Sequence, residues 1–164
     1  MKGSNFWAHF HLTVNEVPVI GFLLAAVFLA LSITTQKRDG WARAGILTLG
    51  ISIVGILLAF FSGDPAVNVI NGQPRTSGKA LMQHHVRSLY ATALAVITGI
   101  FAAITFVKAR NSAGNYSGRW LKVVLITTLL TLGALAWTGL AGGRINHPEL
   151  QQPDDQDMGP AHPH

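Results

Sequence analysis

Four long apolar segments constrain the fold of this chain more than any other feature of its sequence. They cover approximately residues 17–35, 44–61, 89–107 and 121–140. Each is close to the ~20 residues that a helix needs to cross the hydrocarbon core of a bilayer, where a helix satisfies its own backbone hydrogen bonds. Because 12% of the 164 residues are charged, against about 25% in soluble domains, the sequence predicts an all-α integral membrane protein.

The connections between the segments are short, which predicts an up-down-up-down four-helix bundle. Residues 1–150 are predicted to form this transmembrane domain. Residues 151–164 are polar and contain proline, so they are predicted to form a flexible tail. A lipid bilayer is therefore the first partner that the sequence implies.

The connections after the first and third segments carry most of the positive charge. Against a single acid, Asp39, they hold seven basic residues: Lys37, Arg38, Arg43, Lys108, Arg110, Arg119 and Lys122. Lysine and arginine concentrate in cytoplasmic loops, so both termini are predicted to lie on the periplasmic side of a bacterial inner membrane. This topology explains the net charge of +5, and no nucleic-acid partner is predicted.

Five of the seven histidines flank the apolar segments on the predicted periplasmic side. They are His9 and His11 before the first segment, His84 and His85 at the start of the third, and His147 after the fourth. Imidazole is the commonest ligand for haem iron, copper and zinc. The chain has no cysteine, which excludes thiolate zinc sites, iron–sulfur clusters and covalently attached haem. A haem here would be non-covalently bound haem b.

The first and third helices of a bundle face each other diagonally, so His11 and His85 are predicted to be the axial pair of a haem. His147 is an alternative to either ligand, and the same three histidines are the candidates for a metal ion. An arrangement with two haems would also recruit His84, and His9 could stand in for His11. No ligand lies near the middle of the apolar segments, so electron transfer is expected on the outer side rather than across the bilayer.

His84 and His85 are adjacent and point about 100° apart on a helix. We predict that His85 faces the bundle, because Ser88, Thr92 and Gly99 continue a face of small residues from it. Arg87 and Arg144 are predicted to meet the haem propionates. The many small residues in the segments fit either close helix packing or clearance for a flat macrocycle, and Asp64 fits either a cap or a hydrogen bond to an imidazole.

Together these motifs resemble a widespread, poorly characterised family of small bacterial four-helix membrane proteins. The resemblance covers most of the chain except the tail. Many relatives carry a second histidine near the position of Asn15. The matching positions are His11, Pro18, Gly63, Asp64, Pro65, His85, Gly142, Gly143 and His147. The resemblance implies a haem-binding role similar to that of b-type membrane cytochromes.

The leading hypothesis is therefore a small membrane cytochrome with one haem b, or two. It would exchange electrons with a periplasmic cytochrome c or a quinol, as an electron-transfer protein or subunit rather than a stand-alone enzyme. The alternatives are a copper or zinc site, and a structural subunit of a larger membrane complex or homo-oligomer. Hydrolytic chemistry is disfavoured, because the sequence has no nucleophile elbow, phosphate loop or His-Glu-x-x-His motif.

Overall fold

The computed structural model of the chain describes residues 2–70 and 78–146, and side chains within 6–67 and 78–145. These residues form four α-helices: α1 (Lys2–Thr34), α2 (Arg38–Ile70), α3 (Gly78–Arg110) and α4 (Gly118–Asn146). All four are long and apolar enough to cross a membrane. The prediction of an all-helical chain with four membrane-compatible spans is confirmed for this part of the chain, which indicates a multi-pass membrane protein.

The helices extend well beyond the apolar segments. The first three have 33 residues each and α4 has 29, which corresponds to about 44–50 Å at 1.5 Å per residue. Pro18 and Pro65 lie inside α1 and α2. The placement of Asp64 at a loop or cap is therefore wrong, because α2 continues past it. Both His9 and His11 are helical, whereas His147 and the predicted tail lie outside the described residues.

The helices pack in a ring. The α1–α2 and α3–α4 interfaces are the most extensive, α1–α4 and α2–α3 complete the ring, and α1 lies diagonally opposite α3. Phe22, Leu29 and Leu121 are fully buried. Thr98 and Thr131 share a 2.9 Å hydrogen bond between their hydroxyls. Among the described side chains, every buried nitrogen and oxygen has a hydrogen-bond partner, as an apolar medium requires.

Large apolar side chains cover the outside of the ring. Ile51, Phe61 and Leu140 are each more than two-thirds exposed. In water such a surface would be an aggregation hazard, whereas lipid solvates it. The outward-facing surface is therefore suited to direct contact with a bilayer.

The end of α3 contains a backbone conformation that alanine tolerates poorly. Ala113 has φ 54° and Gly114 has φ 87°, while the Gly114 amide donates to the Ala109 carbonyl at 2.8 Å. This is a helix C-cap of the type in which glycine is preferred at the left-handed position.

We expect Ala113→Gly to stabilise the protein by about 0.5–1 kcal/mol. The left-handed conformation costs an L residue roughly 1–2 kcal/mol, and the greater unfolded-state freedom of glycine offsets about half of the gain. Thermal unfolding in detergent micelles measures the change. Ala113→Val is the control and should destabilise, since β-branched residues fit this region worst; equal effects of both substitutions would contradict the assignment.

Candidate functional site

The side chain of His11 is held against the final third of α2. Its Nδ1 lies 2.9 Å from the carbonyl oxygen of Ala59 and 3.1 Å from Ser62 Oγ. Because a carbonyl oxygen can only accept, Nδ1 carries the proton and donates it. The Ser62 hydroxyl donates to the same carbonyl at 3.1 Å. The half-buried ring is therefore oriented by the neighbouring helix.

His84 on α3 makes the corresponding contact with α4. Its Nδ1 lies 3.1 Å from the carbonyl oxygen of Thr138, so this nitrogen is also the donor. The ring is half-buried, and the adjacent His85 lies 4.0 Å from Asp64 of α2, at the same end of the bundle as the contact of His11 with α2. Two imidazoles, from diagonally opposite helices, therefore lie at one end of the bundle, which we call the histidine end.

A glycine lies beside each of these contacts. Gly63 follows Ala59 by four residues, and Gly142 follows Thr138 by four. In an α-helix the carbonyl of residue i points towards residue i+4, so a side chain there obstructs an approaching group. A Cβ on Gly142 would lie 3.2 Å from His84 Nδ1, and one on Gly63 would lie 3.5 Å from His11 Cε1. A side chain at Gly142 would therefore force the His84 ring to shift, whereas a Cβ at Gly63 would make an ordinary van der Waals contact with His11.

We call these two units the α1–α2 anchor (His11, Ala59, Gly63) and the α3–α4 anchor (His84, Thr138, Gly142). They occupy equivalent places in two similarly packed helix pairs. At seven, eleven, fourteen, eighteen and twenty-one residues after each histidine, the side chains are buried: Pro18, Phe22, Ala25, Leu29 and Ser32 in α1, and Ala91, Ala95, Thr98, Ala102 and Thr105 in α3. The two anchors are therefore counterparts in an internally repeated arrangement.

The second helices of the two pairs, α2 and α4, also have buried residues at a constant separation along the chain. Buried residues of α2 recur 79 positions later as buried residues of α4: Ala42, Leu49, Ser52, Ile56, Ala59 and Ser62 correspond to Leu121, Thr128, Thr131, Leu135, Thr138 and Ala141. Ala59 and Thr138 form one of these matching pairs. The two carbonyls that accept hydrogen bonds from the histidines therefore lie at matching depths in the bundle.

The anchors leave the coordinating nitrogen of each imidazole available. In a neutral imidazole with the proton on Nδ1, Nε2 keeps its lone pair. Histidines that ligate metals almost always donate their other ring N–H to a carbonyl or carboxylate in this way, which fixes the tautomer and the ring orientation. Both His11 and His84 therefore have the Nδ1–H hydrogen bond to a carbonyl that is common among metal-ligating histidines.

The prediction that His85 faces the bundle is wrong. Its side chain is 60% exposed, and its Nδ1 lies 4.0 Å from Asp64 Oδ1, with the ring 6.4 Å from that of Phe60. His84 points inward instead, because its face of α3 continues through Ala91 and Thr98, which pack in the core. The carboxylate of Asp64 does lie beside an imidazole, at a distance that allows an electrostatic contact rather than a hydrogen bond.

The other predicted site residues are His9, Arg87, Arg144 and His147. His9 is exposed, and its backbone carbonyl accepts from Thr13 at 2.9 Å. Arg87 is already engaged by Trp137, whose carbonyl oxygen lies 3.2 Å from the guanidinium and whose ring centroid lies 4.6 Å away. Arg144 is half-buried near the end of α4, and His147 lies outside the described residues. The structure thus holds His11 and His84 against neighbouring helices at the same end of the bundle and places His85 at the rim.

Within residues 6–67 and 78–145, no group of three or more histidine, cysteine or acidic side chains converges as a metal ion would require. The feature that sequence reasoning missed is the inward position of His84. The repeated spacing that identifies it is one of buried positions, which becomes visible only in the structure.

Comparison with family models, with curated proteins and with solved structures finds no match to this chain.

Proposed function

We propose that this protein is a membrane cytochrome that binds haem b between His11 and His84. The observation that supports the proposal is that both histidines donate Nδ1–H to a carbonyl of the adjacent helix, which leaves Nε2 as the ligand. A six-coordinate haem without an exogenous ligand takes two protein ligands, because its macrocycle supplies the other four nitrogens. The proposal keeps His11 from the sequence-based pairing and replaces His85 with His84.

The residues at the histidine end fit the demands of this group. His11 and His84 would hold the iron from opposite helices, and Gly142 leaves room for the His84 ring beside the carbonyl that orients it. When bound, haem supplies one-electron transfer. The protein would contribute imidazoles whose tautomer and orientation are fixed by hydrogen bonds, which is one of the factors that set the reduction potential of such a group.

We further propose the topology and setting of the bundle. The helices run up-down-up-down, with the basic connections in the cytoplasm and both termini in the periplasm of a bacterial cell. The histidine end then faces the periplasm, where a cytochrome c or a quinol would exchange electrons with the haem. Membership of the family of small bacterial four-helix membrane proteins described above is part of the same proposal.

The proposal is tested by purifying the protein in detergent, adding haem, and recording the absorption and pyridine haemochrome spectra. We expect a Soret band and close to one haem b per chain, rather than two, because the described residues provide one inward-facing pair. A protein that shows no Soret band, even after haem addition, would rule out this function. Metal analysis of a preparation without an affinity tag distinguishes a copper or zinc protein.

Substituting the glycine of the α3–α4 anchor should weaken haem binding. In Gly142→Ala the new Cβ would lie 3.2 Å from His84 Nδ1, so the ring must move and its hydrogen bond to Thr138 lengthens. Loss of such a supporting contact typically weakens affinity by about 10–100-fold, and we expect the lower end of that range. A haem titration followed at the Soret band measures it. The control is Gly143→Ala, whose Cβ would meet nothing within 4 Å; equal effects would contradict the role of Gly142.

A further inference from the structure

The end of the bundle opposite the histidines is strongly basic, and we call it the basic end. Asp39 at the start of α2 accepts a 2.8 Å hydrogen bond from the backbone amide of Tyr116, which lies between α3 and α4. Among the described residues it is the one acid at this end. One oxygen of its carboxylate is thus held by the polypeptide backbone, and the basic side chains at this end outnumber the acid.

A groove of about 510 Å³ lies at this end between α2 and α3. Arg43 from α2 and Arg110 from α3 line it, together with Leu47 and Phe106. The α2–α3 interface is the least extensive of the four in the ring, which leaves the groove open to the surroundings of the bundle. Within the described part of the chain, neither arginine has a carboxylate within the 4.0 Å of an ion pair.

The two helices present the same arrangement to this groove. On α2, Leu47 lies one turn deeper than Arg43; on α3, Phe106 lies one turn deeper than Arg110. Leu47 is 57% exposed and Phe106 39% exposed. A pair of guanidinium groups therefore stands above an apolar surface that a bilayer would cover. The guanidinium fork is the side chain best suited to phosphate oxygens.

We propose that this groove binds an anionic phospholipid, with its phosphate between Arg43 and Arg110 and an acyl chain against Leu47 and Phe106. Basic pockets between transmembrane helices are established sites for acidic headgroups. The remaining basic residues of this end are less suitable. The Lys108 ammonium lies 5.3 Å from the ring centroid of Trp120, and Arg38 packs against Gly118. This proposal is independent of haem binding.

The test measures lipid binding by native mass spectrometry of the full chain in detergent, titrated with phosphatidylglycerol or phosphatidylcholine. We expect Arg43→Gln/Arg110→Gln to bind phosphatidylglycerol about 30-fold more weakly than the natural protein, given the typical contribution of each of the two basic residues at a membrane surface. The matched control, Arg119→Gln/Lys122→Gln, removes two positive charges from exposed positions at the same end and should bind as the natural protein does.

Three results would overturn the proposal. Equal weakening in both double variants would show that overall charge attracts the lipid, not this groove. Equal retention of phosphatidylcholine and phosphatidylglycerol by the natural protein would show that the groove does not distinguish an anionic lipid from a zwitterionic one. Displacement of the lipid by soluble glycerol phosphate at similar concentrations would identify a site for a water-soluble phosphate instead. All four substituted side chains are exposed, so unchanged thermal unfolding verifies that the variants remain folded.

Discussion

Replacing His84 with alanine is expected to abolish the six-coordinate, low-spin spectrum of the haem-loaded protein. His84 would supply one of two axial nitrogens, and its removal leaves the iron with a single protein ligand. His11→Ala should have the same effect, because the two histidines occupy equivalent anchors. We expect haem affinity to fall by about 100-fold or more, since a lost ligand should weaken binding at least as much as the 10–100-fold loss typical of a supporting contact. Absorption spectra of the ferric and ferrous forms measure both changes.

The adjacent histidine provides the matched control. His85 is one residue away and of the same chemistry, but its side chain is 60% exposed beside Asp64. His85→Ala should therefore retain a low-spin spectrum and nearly natural haem affinity. If His85→Ala removes the low-spin spectrum while His84→Ala preserves it, the sequence-based pairing of His11 with His85 is correct and the α3–α4 anchor is not a ligand site.

Replacing Gly21 with alanine is expected to lower the free energy of unfolding by about 1–3 kcal/mol, the range typical of overpacking a tight interface. A Cβ at this position would run into Ser52 Oγ and come within 3.0 Å of Ser52 Cβ. The hydroxyl can rotate away, whereas the Cβ is fixed to the backbone of α2. The α1–α2 interface would have to separate, and this interface also positions the α1–α2 anchor.

Two further variants make this expectation specific. Gly50 lies on α2 at a position where a Cβ would meet nothing within 4 Å. Gly50→Ala should therefore be neutral or stabilise the protein by up to about 1 kcal/mol. Combining Gly21→Ala with Ser52→Gly removes the obstructing group and should restore much of the lost stability. Unfolding in mixed detergent micelles measures all three proteins. Similar losses in Gly21→Ala and Gly50→Ala would contradict close packing at Gly21.

The number and class of the helices could be predicted from hydropathy, because a span of about 20 apolar residues has few alternatives in a chain so poor in charge. The positions at which the helices end could not be predicted from hydropathy. Residues 2–16 are polar enough to fall outside an apolar segment, yet they continue α1 without interruption. Pro65 also fails to end α2. A helix that extends past the hydrocarbon core leaves little trace in hydropathy, because the interfacial region accepts both polar and apolar side chains.

The choice between His84 and His85 was wrong because small residues follow both of them along α3. Thr92 and Gly99 favoured His85, whereas the buried face runs from His84 through Ala91, Ala95 and Thr98. Comparing the two halves of the chain resolves the ambiguity, since His11 and His84 precede buried positions with identical spacing. The partners of both rings are backbone carbonyls, which carry no side-chain signature.

The ligation of the iron can be observed directly by low-temperature electron paramagnetic resonance of the ferric protein loaded with one haem. If His11 and His84 both bind through Nε2, the spectrum should be low-spin throughout. It should become high-spin in His11→Ala and in His84→Ala, and stay low-spin in His85→Ala. A high-spin signal from the natural protein, or a low-spin signal that survives loss of both His11 and His84, would contradict a haem held between the two anchors.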